Sequence, residues 1–325
     1  MLARDSFAYV FDGRGGAAST LADGSALPHR GPADPSFSWQ HLRRDNSETM
    51  GLLTALGLDH FVIEALTADE TRPRCTVHGN GVVLNLRGVN LDEGAEPEDM
   101  ISVRFWLEAQ RVVGVWVRPL QAIDDFVAAI DRDEAPVSPG DLIARLGLRL
   151  ADRAEPSIAA LNEQIDTLEE AVLERGRDIS RVTLSGLRRS SIVLRRYFVP
   201  QRDALTTLEI EDLAWMRDTD RARLREAAER VRRFGEELDA IRDRAQIVHD
   251  QIIDQRAERM NRQMLLLSVV AAIFLPLGLV TGLLGINVGG VPGADNPWAF
   301  AIVTIGLLAT GLGLFLWFRA IGMFK

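Results

Sequence analysis

The sequence is poor in the residues that make soluble catalytic or metal-binding proteins. A single cysteine, Cys75, excludes an intrachain disulfide framework and any four-cysteine zinc site. The five histidines, at 29, 41, 60, 78 and 249, are scattered. No phosphate-binding loop, nucleophile elbow or paired-histidine zinc motif occurs, so nothing points to an enzyme or to a resident cofactor. The first residues, "MLARDSFAYVFDGRGG", hold no apolar run of the kind a secretory signal needs, and none is expected. A formal net charge of -9 argues against nucleic acid as a partner.

Charge itself is unevenly spread. Residues 1–263 are rich in it, while 264–325 carry only Asp295, Arg319 and Lys325. Two segments there lack charge entirely: "MLLLSVVAAIFLPLGLVTGLLGI" from Met264 to Ile286 and "WAFAIVTIGLLATGLGLFLWF" from Trp298 to Phe318. A helix of roughly 20 apolar residues crosses about 30 Å of hydrocarbon, and both qualify. A hairpin buried in a soluble core is the alternative, but soluble helices carry a polar stripe and neither segment has one. Arg256, Arg259 and Arg262 precede the first span, and Arg319 and Lys325 follow the second. The loop between them, 287–297, has no Lys or Arg. The positive-inside rule predicts both termini in the cytoplasm and the loop outside.

The first span carries Pro276, Gly278, Gly282 and Gly285. Proline predicts a kink, and the glycines permit close helix approach in lipid, either as plain packing or as part of a pathway. At helical spacing one narrow, nearly uncharged face reads Asn261, Met264, Ser268 (or Leu267), Ala271, Leu275, Gly278 and Gly282. Two helices from one chain cannot enclose a hydrated pore, so transport would require several copies.

Upstream, Leu224, Val231, Leu238, Ala245 and Ile252 recur every seven residues, interleaved with Ala227, Phe234, Ile241 and Val248. This heptad seam predicts one helix from about Asp220 to near Ile286, roughly 100 Å long at 1.5 Å per residue. Gly235 weakens it by about 1 kcal/mol relative to Ala. A second seam, Ile158, Leu161, Ile165, Leu168 and Val172, stops at Gly176. A third helix is expected from about Ile179 with Leu187, Val193, Leu194 and Tyr197, kinked or broken at Pro200.

Residues 1–150 read as an α/β domain. Strands are expected at Phe7–Asp12, Ser36–Leu42, His60–Leu66, Arg74–Gly79, Gly81–Leu91, Ile101–Ala109 and Arg111–Leu120, with Asn80-Gly81 as a hairpin turn. Short helices are expected at Glu48–Gly57, Ile123–Asp131 and Ser138–Leu150, the last capped by Ser138 with Pro139 at its first position. The Gly/Pro-rich stretch from Asp12 to Pro35 reads as a loop. Cys75-x-x-His78 has metal-ligand spacing but no second pair, so a structural Cys and a surface His are the plainer reading. The acidic run Asp92–Met100 reads as a solvated loop rather than a cation site.

A two-span hairpin whose first span ends in Gly-x-Asn resembles the CorA superfamily of divalent metal-ion transporters. The tripeptide here is Gly285-Ile286-Asn287, followed by "VGGVPG" (Val288–Gly293). That extension, and "RGVNLDEGAEPEDMISVRFW" (Arg87–Trp106), look like the zinc-transporting ZntB branch. The resemblance spans nearly the whole chain. It implies a homopentamer, with α/β domains (1–150) and stalk helices (151–263) as a cytoplasmic funnel. The first spans (264–286) would line a pore, the loop (287–297) its outer mouth, the second spans (298–318) an outer ring, with a short tail (319–325).

Carried over position by position, the family's pore-facing residues fall on Asn261, Met264, Leu267, Ala271, Leu275 and Gly278. Gly278 stands where many relatives carry a hydroxyl, and Thr281 compensates only if turned inward. A ring of Asn287 amides suits a cation held through its water shell. Asp295 outside, and Asp254 and Glu258 inside, are the titratable residues nearest the spans; solvated interfacial charge is the plainer reading of them. The partners implied are other copies of the chain, membrane lipid and the transported divalent cation. The function implied is zinc import, coupled to protons, with a magnesium or cobalt channel gated by cytoplasmic metal as the alternative within transport. A membrane-anchored coiled-coil scaffold is the alternative outside it.

Overall fold

The computed structural model describes residues 6–20, 35–69, 72–174, 181–286, 291, 293 and 296–322. The chain divides into two compact units, Met1–Val248 and His249–Lys325.

The first unit is built on a seven-stranded mixed sheet. Its strands are β1 (Ser6–Phe11), β2 (Ala17–Thr20), β3 (Phe37–Arg43), β4 (Arg74–His78), β5 (Gly81–Gly88), β6 (Ile101–Glu108) and β7 (Arg111–Trp116). Their order is β2-β1-β3-β7-β6-β5-β4. Only β3 and β7 pair in parallel; all other neighbours are antiparallel. Both faces are covered, so β5, β6 and β7 are almost wholly buried rather than alternating. On one face Leu42, Val83, Trp106, Val113 and Val115 pack under helices α1 (Thr49–Ala55) and α2 (His60–Thr67), through Leu53, Val62 and Leu66. On the other, Trp39 meets Phe126 of helix α3 (Gln121–Ile130) edge to face at 5.7 Å.

Three local expectations change. His60–Leu66 is helix α2, not a strand. Asp59 caps it, its Oδ1 accepting from Val62 N at 2.9 Å, and Val62, Ala65 and Leu66 form one buried helical face. The turn between β4 and β5 is centred on Gly79-Asn80, one residue earlier than expected, because His78 pairs with Gly81. Gly79 takes the positive φ (+56°) that the first position of such a turn requires. Part of the expected loop after Asp12 forms the edge strand β2, held by Asp12 Oδ1, which accepts from the amides of Arg14 and Gly16.

The helices that follow are longer than expected. Ser138 caps α4 (Pro139–Leu173), its Oγ accepting from Asp141 N at 2.9 Å, but the helix runs on unbroken through Leu150 and Pro156. The expected short helix and the second seam are therefore one element, and a boundary after residue 150 falls inside it. Ile158, Leu161, Ile165, Leu168 and Val172 are all buried. Gly176 lies outside the described residues. Helix α5 (Arg181–Ile210) continues through Pro200, and the expected break is not there. Helix α6 runs from Asp218 to Leu284, and α7 from Ala299 to Ala320.

Within the first unit the heptad seam is a working interface. Leu224, Ala227, Val231, Phe234, Leu238, Ile241, Ala245 and Val248 are all buried. Gly147 of α4 lets α6 approach so closely that a Cβ there would lie 3.3 Å from that of Ala227. Phe234 meets Phe198 of α5 at 5.6 Å. Arg244 bridges to Asp166 and Glu169 of α4, and Arg195 of α5 pairs with Asp239 at 2.7 Å. The N-termini of α4 and α6 share a buried knot. Asp220, fully buried, accepts from Ser138 Oγ at 2.7 Å and from Arg217 N and Nε at 3.3 Å.

Candidate ion pathway

The second unit holds the end of α6 and all of α7. Both helices are long and apolar enough to cross a membrane, and almost none of their apolar windows is buried within the chain. Leu267, Leu275, Phe300 and Leu308 are each about 70% exposed or more (69%, 71%, 83% and 69%). Apolar surface on this scale needs lipid or other copies to cover it. Trp298 and Trp317 are exposed near the two ends of α7, the spacing expected of interfacial indoles.

One face of α6 is turned to α7. Val269 is buried, Ile273 and Leu277 are half-buried, and a groove of about 280 Å³ is lined by Leu277, Val280 and Leu284 against Val303, Leu307 and Thr310. Gly311 of α7 lies against Leu277: a Cβ there would sit 3.5 Å from Leu277 Cδ1, an ordinary van der Waals contact. Pro276 lies within α6 without ending it.

At about 100° per residue, Met264, Leu267, Ala271, Leu275 and Gly278 centre about 160° around the helix from the α7 contact. All five are exposed. The stripe read from spacing is thus the face directed away from the chain's own second span. Nothing lies within 4 Å of a Cβ built at Gly278 or Gly282, so these glycines do not serve the α6–α7 contact. Asn261 sits on the stripe's flank, about 80° from its centre. Met260, 58% exposed, extends the stripe by one turn toward the first unit; continuing the same period would have found it. Asp254 and Glu258 are exposed but lie about 100° and 140° off the stripe. Thr281 is about 80° off it, and its hydroxyl donates to Leu277 O and Gly278 O at 3.1 Å each. It does not supply the missing hydroxyl at Gly278.

The helix ends where the tripeptide begins. Gly285 N donates to Thr281 O at 3.0 Å and to Gly282 O at 3.2 Å, and Ile286 is exposed. Asn287 and Asp295 lie outside the described residues.

No group of metal ligands is assembled elsewhere among the described residues. Cys75 and His78 are three apart on β4, so they point to opposite faces of the strand and cannot share an ion. Burial, with Glu211 nearby, pushes the Cys75 thiol up to about 12. His78 Nε2 is 2.6 Å from Asp59 Oδ2, and its ring stacks on Phe61 at 4.6 Å. In the acidic run, Asp99 is engaged by Arg118 and Glu98 accepts from Ser190 Oγ.

The chain is similar to known proteins over nearly its whole length. The family profile described as "CorA-like Mg2+ transporter protein" matches residues 34–320. The chain is 37% identical over 314 residues to the divalent cation transporter CmaX of Pseudomonas aeruginosa, covering 96% of this chain and 93% of that one. It is 32% identical over 315 residues to the zinc transport protein ZntB of Yersinia enterocolitica, covering 96% and 94%. The solved structure of full-length CmaX superimposes with a TM-score of 0.83 at 35% identity, covering 97% of this chain and 98% of the other. The protein therefore belongs to the CorA-like family.

Proposed function

We propose that the protein carries divalent cations, zinc foremost, inward across a bacterial inner membrane, through the central pore of a homopentamer, coupled to protons. The observation that carries this reading is the face of α6 directed away from α7: exposed, continuous and free of charge from Met264 to Gly278. Packed against other copies, such a face lines a pathway that α7 does not block. The Lys and Arg residues flanking the spans, and their absence from 287–297, favour both termini in the cytoplasm.

Ion choice follows from what the face offers. It has no imidazole, thiolate or carboxylate, so a cation passes with its water shell rather than stripped onto ligands. Asn287 at the outer mouth supplies neutral acceptors, which hold a divalent ion weakly enough to release it. Zinc is favoured by the relative named for zinc transport. The same ligand-free face favours a second reading, a magnesium or cobalt channel, because a hydrated ion is poorly discriminated by size alone. Neither span has a titratable side chain, so proton coupling is assigned to the titratable residues nearest the spans in sequence, Asp295 on one side and Asp254 and Glu258 on the other.

Uptake into proteoliposomes holding a zinc-sensitive dye tests this. Zinc entry that rises with an acidic exterior, and is lost in Asn287→Ala without loss of assembly, is the expected result. Magnesium or cobalt flux indifferent to the gradient would select the channel reading. No divalent flux from a folded oligomer would sink both and favour a scaffold.

A further inference from the structure

One face of the sheet carries a buried polar pair that the ion pathway does not use. A single row crosses that face: Leu42, Val115, Arg104, Asn85 and Arg74 stand opposite one another on β3, β7, β6, β5 and β4. Leu42 and Val115 belong to the core under α1 and α2. The next two positions are polar yet closed to solvent: Arg104 is 0% exposed and Asn85 is 1% exposed. As a directly opposed antiparallel pair, they have Cβ atoms about 5 Å apart on the same face.

Their hydrogen bonding does not close. Arg104 Nη2 donates to Asp69 O, just past the end of α2, at 3.2 Å. Arg104 Nε and Nη1 have no partner among the described residues, and neither do Nδ2 and Oδ1 of Asn85. Buried polar groups are normally paired, and open N–H groups on a buried charge are the costliest exception. The charge does not balance either. Burial, then Arg44 and Arg87, push the Arg104 guanidinium down to about 10, and Arg74 adds to this. Among the described residues Asp69 is the one carboxylate acting the other way. That carboxylate is 95% exposed and already engaged by Arg44 Nη1 at 3.1 Å.

The pair therefore lacks a negative charge with acceptor capacity. Water would answer the hydrogen bonds but not the charge, and a cation would be repelled by four guanidinium groups. A spherical anion answers both, because it accepts N–H groups from any direction and needs no fork geometry. Closure to solvent favours a single atom over a phosphate or a bulky carboxylate.

We propose that the α/β unit holds a monovalent anion of halide size, seated on the sheet face between the Arg104 guanidinium and the Asn85 amide. The anion would neutralise the buried charge and hold β5 and β6 together where Arg104 reaches the end of α2. The site is separate from the cation pathway and does not depend on which ion that pathway carries.

Thermal unfolding of the full chain in detergent tests this, with sodium chloride or bromide exchanged for sodium gluconate at fixed ionic strength. The melting temperature is expected to rise with halide, by about 3 °C for each tenfold step once the site is mostly filled. Arg104→Met, similar in length but uncharged, is expected to abolish the response. Asp69→Asn, a surface change that removes the competing carboxylate, is expected to lower the half-saturating halide concentration about threefold. Should Arg104→Met fail to fold, the response of the parent chain and the Asp69→Asn shift still decide. Equal melting temperatures in halide and gluconate would overturn the proposal and leave the open N–H groups to water alone. A halide response unchanged in Arg104→Met, or a half-saturating concentration unmoved by Asp69→Asn, would overturn it as well.

Discussion

Single cysteines placed along α6 from Met260 to Leu284, each as in Leu275→Cys or Leu277→Cys, would report the face of every position through reaction with a cationic thiol reagent. The parent chain is a silent background. Its one thiol is half-buried and pushed up to about 12, so at pH 8 only about one part in ten thousand is thiolate. A cysteine in water near its ordinary value of about 8.5 is roughly a quarter ionised at that pH. For positions facing lipid or α7, bringing a charged reagent into hydrocarbon costs about 3 kcal/mol, which slows reaction roughly a hundredfold. The geometry therefore predicts fast labelling at 260, 264, 267, 271, 275 and 278 and slow labelling at 269, 273, 277, 280 and 284. Labelling on the fast face should also block ion flux in proteoliposomes. A rate profile that peaks at 269, 273 and 277, or that shows no helical period, would refute the assignment of the pathway to this face.

Three further outcomes follow from the first unit. His41, ordinarily near 6.5, is lowered to about 3 by burial, so between those values the unfolded chain binds a proton that the folded chain refuses. Stability should fall as pH drops below about 6.5, by up to about 1.4 kcal/mol per pH unit, or about 2–4 °C in melting temperature for each kcal/mol, and His41→Phe should flatten that slope. Leu238→Ala, at a fully buried seam position, should cost about 2–5 kcal/mol in denaturant unfolding of the full chain. Asp220→Ala leaves Ser138 and Arg217 without their acceptor; with Arg217 nearly half exposed, about 2–3 kcal/mol is expected, read from the same unfolding curves.

Much of the second unit was legible because its physics is local. Hydrocarbon length, absence of charge and flanking arginines are properties of consecutive residues, and the stripe from Met264 to Gly278 follows from helical period alone. The heptad seam from Leu224 to Val248 was legible for the same reason: every position that the period marks is buried. His60–Leu66 was misread because a run of Phe, Val and Ile fits a strand as well as a helix. Asp59 decided the matter by capping the first turn and the sheet by receiving Val62 and Leu66. Proline stops a helix less firmly than its chemistry suggests. Pro200 reads as a kink or a break, yet α5 is not broken there, and α6 passes through Pro276 as the single long helix expected.

The sequence by itself determined the spans, the seam, the capping of α4 and the family, because each rests on residue type at fixed spacing. Tertiary structure alone decided which side of α6 meets α7. A helical period defines a face but not its neighbour, and that was settled by Leu277 lying against Gly311. Tertiary structure alone also set Asn85 beside Arg104. Leu42, Asn85, Arg104 and Val115 are far apart in the chain, and only the pairing of β3, β7, β6 and β5 brings them into one row.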